Sequence, residues 1–273
     1  PGFNEVYTND PLRDVVINEI LAHTDPPLFD SIELYNHSNQ SNNVSGCILT
    51  DDATTNRFVI PSGTIIPPRG FVSFDQVQLG FALSAGGETI YFWNSNRIRL
   101  LDVVQFGAQE NGVSWGRNPD GADDFYRLQS RTLGTNNSNV LVGDVVINEL
   151  MYDPLSADDN DEYVELYNRT ALPVDLSGWR LEGGISFTIP PNTVLGSNSY
   201  LVIAENLTNL LAKYVQLNST NTLGNYNGTL KNSGERVALS KPDSTNGTNT
   251  IHIVVDEVNY RAGGQWHSDF QRA

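Results

Sequence analysis

The chain has a single cysteine, Cys47, and a single methionine among 273 residues. One thiol closes no intramolecular disulfide and builds no Cys-based zinc cage, so neither device holds this protein together. Its four histidines, His23, His37, His252 and His267, are scattered without H-E-x-x-H spacing, so a catalytic zinc site would have to be gathered from distant segments. Basic residues are scarce: 16 Lys and Arg face 32 Asp and Glu, for a net charge of −16. A surface of that sign repels polyphosphates and anionic membranes, which removes nucleic acid from the expected partners and leaves cations, basic proteins and neutral polysaccharides open. No apolar run approaches the ~18–20 residues of a membrane span, and no membrane insertion is expected. The start, Pro1-Gly2-Phe3-Asn4, carries no basic leader or apolar signal stretch, which reads as a mature or excised end.

What is present is apolar material enough for a core, 39% hydrophobic and 10% aromatic, in a chain about twice the usual ~100–150 residues of a domain. The sequence also repeats itself. DVVINEIL at 14–21 returns as DVVINELM at 144–151, SIELYN at 31–36 as YVELYN at 163–168, VSGC at 44–47 as LSGW at 176–179, and FVIP at 58–61 as FTIP at 187–190. Four blocks in the same order mean a duplicated domain. Between the copies, TLGTNNSNVLVG at 132–143 has neither helical nor strand periodicity and reads as a linker, with the boundary near residue 138. Within each copy short apolar bursts are punctuated by Gly, Pro, Asn and Asp every ~8–12 residues, the pattern of an all-β sandwich or barrel. The alternation in SIELYN puts Ile32 and Leu34 on a core face and Glu33 and Tyr35 on a solvated one. One helix is expected, over 205–215, where apolar residues fall at 207, 210, 211, 214 and 215.

The INE block, IELYN/VELYN, the SGW-type turn, F-x-IP and, in copy one, SWGRNPDG at 114–121 resemble the lamin-tail domain. The resemblance covers about residues 12–137 and 142–273 and implies two tandem immunoglobulin-like β-sandwich domains of the kind reused in large extracellular proteins. There are departures: the coiled-coil rod of the nuclear lamins is absent, Cys47 stands where copy two has Trp179, and FYRL at 125–128 has no obvious counterpart in copy two. The second sandwich therefore reads as truncated, with the natural protein continuing past Ala273.

The search for chemistry finds little. Gly112-Val113-Ser114-Trp115-Gly116 fits the G-x-S-x-G string of a nucleophile elbow, but a turn follows instead of a helix, and the other copy has no matching serine and histidine. Glu19/Glu33 and Glu149/Glu165 recur as pairs that could serve acid–base chemistry or glycoside cleavage; recurrence in both copies favours carboxylates that accept backbone N–H groups at strand ends. Asn18/Asn148 and Asn36/Asn168 beside them read as turn anchors. The acidic loop YDPLSADDNDE gathers Asp153, Asp158, Asp159, Asp161 and Glu162 and reads as a solvated loop, with a bound hard cation such as Ca²⁺ as the alternative, since it lacks the glycine and spacing of an EF-hand; the first copy's loop keeps only Asp25 and Asp30. Nine N-x-S/T sequons, at Asn36, Asn39, Asn43, Asn136, Asn168, Asn206, Asn218, Asn227 and Asn246, are glycan acceptors if the source is a eukaryote, and otherwise reflect an Asn-rich secreted composition. Trp93, Trp115, Trp179 and Trp266 read as core rings, with a sugar-stacking platform as the alternative.

The expectation is a non-catalytic binding or structural module of a larger secreted or cell-surface protein, engaging protein, either copies of itself or other chains. The alternative is a carbohydrate-recognition or substrate-targeting module attached to an extracellular enzyme.

Overall fold

The computed structural model describes residues 10–55, 58–246 and 249–261. The chain divides into two compact units, Pro1–Leu141 and Val142–Ala273. In the first, valine- and isoleucine-rich bursts become strands β1 (Val15–Leu21), β2 (Ser31–Asn36), β3 (Asn42–Asn43), β4 (Ile48–Thr50), β5 (Phe58–Val59), β6 (Ile65–Ile66), β7 (Phe71–Asp75), β8 (Glu88–Trp93), β9 (Leu100–Phe106), β10 (Trp115–Arg117) and β11 (Phe125–Arg127). They form one sheet in the order β11-β10-β1-β2-β7, a facing sheet β5-β4-β8-β9, and the ribbon β3-β6. Ile17, Leu34 and Phe74 from one sheet meet Leu49, Ile90, Phe92 and Val104 from the other in a dry core. The short helix α1 (Gln76–Leu79) turns the chain between sheets and is closed by a capping box on Asp75.

The second unit repeats this plan. Its strands are β12 (Val145–Met151), β13 (Tyr163–Asn168), β14 (Val174–Asp175), β15 (Arg180–Gly183), β16 (Ile185–Thr188), β17 (Val194–Leu195), β18 (Tyr200–Ala204), β19 (Thr222–Gly224), β20 (Asn227–Gly228), β21 (Arg236–Asn246) and β22 (Asn249–Asn259). The sheets are β12-β13-β18-β19 and β20-β16-β15-β21-β22, with the ribbon β14-β17. Register matches strand for strand: Ile17 opposes Leu34 as Ile147 opposes Leu166, and each pair is followed by a bulge. Phe92 opposes Asp102 as Leu239 opposes Asp256, again with an irregularity next to it. Each unit is therefore the β-sandwich that the repeats imply. The expected helix forms as α2 (Leu207–Lys213), capped by Asn206 and shorter than the 205–215 stripe because Tyr214 is already extended.

Asn36 and Asn168 fix the same corner in each unit. Both are fully buried. Asn36 Nδ2 faces the carbonyls of Gln40, Ile66 and Pro67 at 2.7, 3.1 and 2.9 Å, while its Oδ1 accepts from Ser38 and Asn42. Asn168 faces Leu172, Leu195 and Gly196 in the same way. The following SG turn needs a left-handed residue, and Gly46 and Gly178 sit at φ 76° and 75°. Cys47 and Trp179 then occupy equivalent buried places, each donating its N–H three residues back, to Val44 and Leu176.

Two expectations are corrected. The strand SIELYN is buried on both faces, Glu33 at 0% and Tyr35 at 5% exposure, whereas YVELYN keeps the alternating pattern. At Tyr35 the cover is Gly121 of the SWGRNPDG turn, and at Glu33 the reason is the second correction: most of the segment read as a linker is a strap bound across the first sandwich. Leu128 bridges Val140, Gln129 N–H donates to Asn139, and Leu141 N–H to Arg127. The strap lies over Glu33, and Tyr35 is stacked on Phe71 at 4.7 Å. Residues 262–273, which bear on the expected missing counterpart of FYRL, lie outside the described residues.

Replacing Asn36 by Asp swaps a double donor for an acceptor facing three carbonyls. Urea unfolding of the full chain should show Asn36→Asp destabilising the first sandwich by about 2–4 kcal/mol, more than Asn36→Ala, with Asn168→Asp doing the same to the second. A loss below about 1 kcal/mol for both aspartates would show that the corner does not depend on the amide.

Candidate functional site

The polar constellation that both units share is built at the bulge in the first strand. The bulge takes one residue out of the ladder and leaves a backbone N–H to be satisfied. Ile17 N–H donates to Asp102 Oδ2 of β9 at 2.8 Å, and Ile147 N–H to Asp256 Oδ2 of β22 at 2.7 Å. One carboxylate thus ties the two sheets together in each sandwich. In the first unit Arg117 completes the tie. Its Nε donates to Ile17 O at 2.7 Å, its Nη2 pairs with Asp102 at 3.0 Å, and its Nη1 reaches the carbonyls of Ala122 and Asp123. The guanidinium also lies on the Phe125 ring, 4.5 Å from its centre. Neither Asp102 nor Arg117 stands out in the sequence as chemistry. The signal was a carboxylate kept at one place in both copies, inside the apolar runs LLDVVQF and IVVDEVN.

Around that tie the units diverge. In the first, Asn18, Glu19 and Glu33 are all fully buried. Thr132 donates its N–H and hydroxyl to Glu19, Gly134 donates its N–H to Glu33, and Asn18 links Glu33 to Asp120. Asp120 in turn receives Asn136 and Asn137, and Asn137 Nδ2 reaches Asn18 O and Arg117 O. Burial pushes the Glu33 carboxyl up to about 7 against the bonds from Gly134 and Asn18. In the second unit Asn148 and Glu149 are exposed and Glu165 is half-buried; Asn148 Nδ2 donates to Glu165 at 2.8 Å and Tyr163 hydroxyl to Glu149 at 2.7 Å. The first pair of carboxylates is closed to substrate by the strap, and the second pair is open.

The acidic loop places its five carboxylates on separate tasks. Glu162 is fully buried and accepts Leu230 N–H and the Tyr226 hydroxyl, the role that Asp30 plays toward Leu83 N–H in the first unit. Asp161 is buried against Lys213, Ser156 and Asn209, and the Lys213 ammonium holds its carboxyl below the usual range. Asp158 caps a 3-10 turn over Asp159–Asp161, and Asp153 accepts from Asn232 at 3.2 Å. Asp159 is exposed. Among the described residues no three His, Cys, Asp or Glu side chains converge as metal ligands would. The loop, a hard-cation site only in its alternative reading, thus has two of its five carboxylates engaged inside the fold.

Ser114 of the G-x-S-x-G string is fully buried where the chain enters β10, not at an exposed strand-to-helix turn. His23 Nδ1 lies 2.8 Å from Gln109 O and His252 Nε2 lies 3.3 Å from Gly178 O; His37 is half-buried, and His267 lies outside the described residues. Of the sequons, Asn36 and Asn168 are buried anchors, so their amides are closed to a glycan in the folded chain. Asn39, Asn43, Asn136, Asn218 and Asn227 are exposed, Asn206 is half-buried as the α2 cap, and the Asn246 side chain lies outside the described residues. Trp179 is a core ring, Trp115 packs between Phe106 and Phe125, Trp93 is half-buried, and Trp266 lies outside the described residues. A polar cleft of about 510 Å³ opens beside the strap, between Phe29, Ser73, Asp75, Arg131, Thr132 and Leu133.

A family model described as Lamin Tail Domain matches residues 8–123 and 141–262. No curated protein matches the chain.

The strap should carry a pH signature. Glu33 keeps its proton in the folded sandwich up to about pH 7 but loses it near 4.5 when unfolded. The folded state therefore binds more protons between those values, and the contribution of Glu33 to stability, full below pH 4.5, is lost as pH rises through 7. Thermal unfolding of the first sandwich should show this fall, and Glu33→Gln should flatten it. A variant with the same slope between pH 4.5 and 7 would assign the dependence to another group.

Proposed function

Because the chain belongs to the lamin tail domain family through both of its halves, a family of immunoglobulin-like, non-enzymatic domains, we propose that it is an interaction module of a larger secreted or cell-surface protein. The observation that carries this reading is the fate of the reactive side chains. The first copy's glutamates, its G-x-S-x-G serine and two of the acidic-loop carboxylates are buried inside the fold, and among the described residues no nucleophile, base and oxyanion donors converge in a cleft. What differs between the copies is surface. One sandwich covers its first strand with its own chain, and among the described residues the other presents that strand. A protein partner is favoured over a polysaccharide because Trp115 and Trp179 are turned into or against the cores and Trp93 stands half-buried beside Arg97, so the described tryptophans do not share one stacking face. An extracellular setting suits an acidic surface with exposed sequons and few lysines, and among the described residues no helix is long and apolar enough to cross a membrane.

Brief trypsin treatment of intact source cells should release peptides of this chain without lysis. The purified chain should turn over p-nitrophenyl esters and glycosides at the buffer rate. Turnover that is abolished by Ser114→Ala or Glu165→Gln would overturn the non-catalytic reading, and retention of the chain inside intact cells would overturn the surface placement.

A further inference from the structure

In the first sandwich the outer edge of β1 is not free: β10 lies along it antiparallel, with Glu19 opposite Gly116 and Ile20 opposite Trp115, and β11 follows β10. In the second sandwich the equivalent strand, β12, ends its sheet, and among the described residues nothing pairs with its outer edge. A strand edge carries a row of N–H and C=O groups that an extended chain can pair with. Among the described residues the two edges differ at a second place. Asp102 has the Arg117 guanidinium at 3.0 Å, and the same arginine takes Ile17 O. Asp256, which holds Ile147 N–H just as Asp102 holds Ile17 N–H, has no cation beside it among the described residues. Burial raises its carboxyl above the usual range, and the neighbouring charge is that of Glu257.

The aromatic position is filled differently. Tyr260 stands in register where Phe106 packs on Trp115, and it stacks on Tyr152 at 4.5 Å. Among the described residues nothing takes the arginine's place, which is rimmed by the exposed Asn148 and Glu149 and the half-buried Glu165. In the register Trp115-Gly116-Arg117 the cation comes two residues after tryptophan, whereas Trp266 is followed by His267 and Ser268. A second copy of a chain with net charge −16 is repelled from so acidic an edge, and a basic segment is drawn to it.

We propose that the outer edge of β12 is a strand-docking site for an extended arginine-bearing segment of another polypeptide, which pairs antiparallel with Glu149 and Leu150 and places its guanidinium on Asp256 and Ile147 O. The segment does for the second sandwich what β10 and Arg117 do for the first. This inference rests on the reading of the chain as an interaction module and names the chemistry of its partner.

The probe is a capped peptide copying Gly112–Pro119, GVSWGRNP, added to the full chain. Isothermal titration should give saturable one-to-one binding, and hydrogen exchange at the Glu149 and Leu150 amides should slow on saturation. Affinity should fall roughly ten-fold or more with Asp256→Asn in the protein. The same fall is expected when the peptide's arginine is replaced by glutamine, an arm that does not depend on how the protein variant folds. No binding, binding indifferent to both changes, or protection confined to other strands overturns the proposal. So does a dimer seen in sedimentation and lost with Asp256→Asn, which would give the edge to a second copy. Failure here leaves the absence of turnover and the surface placement untouched, so it is distinguishable from failure of the interaction-module reading.

Discussion

At Ile17 and again at Ile147 the ladder between the first two strands skips a residue, and an amide inside the sandwich is left without a strand partner. An unpaired buried N–H costs about as much as a lost hydrogen bond, so something from the facing sheet has to reach it. Asp102 and Asp256 do so, and each is thereby committed to the interior. Much of the polar organisation of each unit follows from that commitment. A carboxylate between sheets calls for a compensating charge, and the arginine that supplies it in the first unit draws β10, β11 and the strap over the sheet. Asn18, Glu19 and Glu33 are then sealed beneath them.

Among the described residues the two copies show one framework with and without that covering. The buried asparagine corner, the left-handed glycine turn, the bulge and the inter-sheet aspartate are common to both, because each satisfies backbone groups that any chain in this topology must satisfy. The carboxylates next to the bulge are not under the same constraint. Identical INE blocks give a closed, fully buried cluster in one unit and an open, solvated one in the other. A repeated glutamate pair is therefore no sign of repeated chemistry. Its surroundings come from segments outside the repeat blocks, and those segments set whether it is a buried structural acceptor or an open, solvated pair.

The acidic loop follows the same logic. Read as composition it is a run of hard oxygen ligands; read in three dimensions, Glu162 repeats the part of Asp30 and Asp161 is neutralised by Lys213. Clustering along the chain brought these carboxylates close in number but not in direction. Each was aimed by a different partner, one from the 230 region and one from α2, and neither partner is adjacent in sequence.

The sequence by itself determined the duplication, the two-sheet architecture and the register of the strands. Apolar alternation and the turn residues act locally, and a one-residue slip would move Ile32 and Leu34, or Val164 and Leu166, out of the core. It also carried the α2 stripe and the local half of the asparagine anchors, the bonds to residues 38–42 and 170–172, while the carbonyls of 66–67 and 195–196 that complete them come from across the fold. The tertiary structure alone decided that residues 132–141 are a strap and not a linker, that Glu33 and Tyr35 are buried while Glu165 and Tyr167 are only half so, and that Arg117 pairs with Asp102 while no arginine stands beside Asp256 among the described residues. Each of these depends on contacts between residues far apart in the chain, whose partners are chosen by packing and charge across the sandwich, and local pattern holds no record of them.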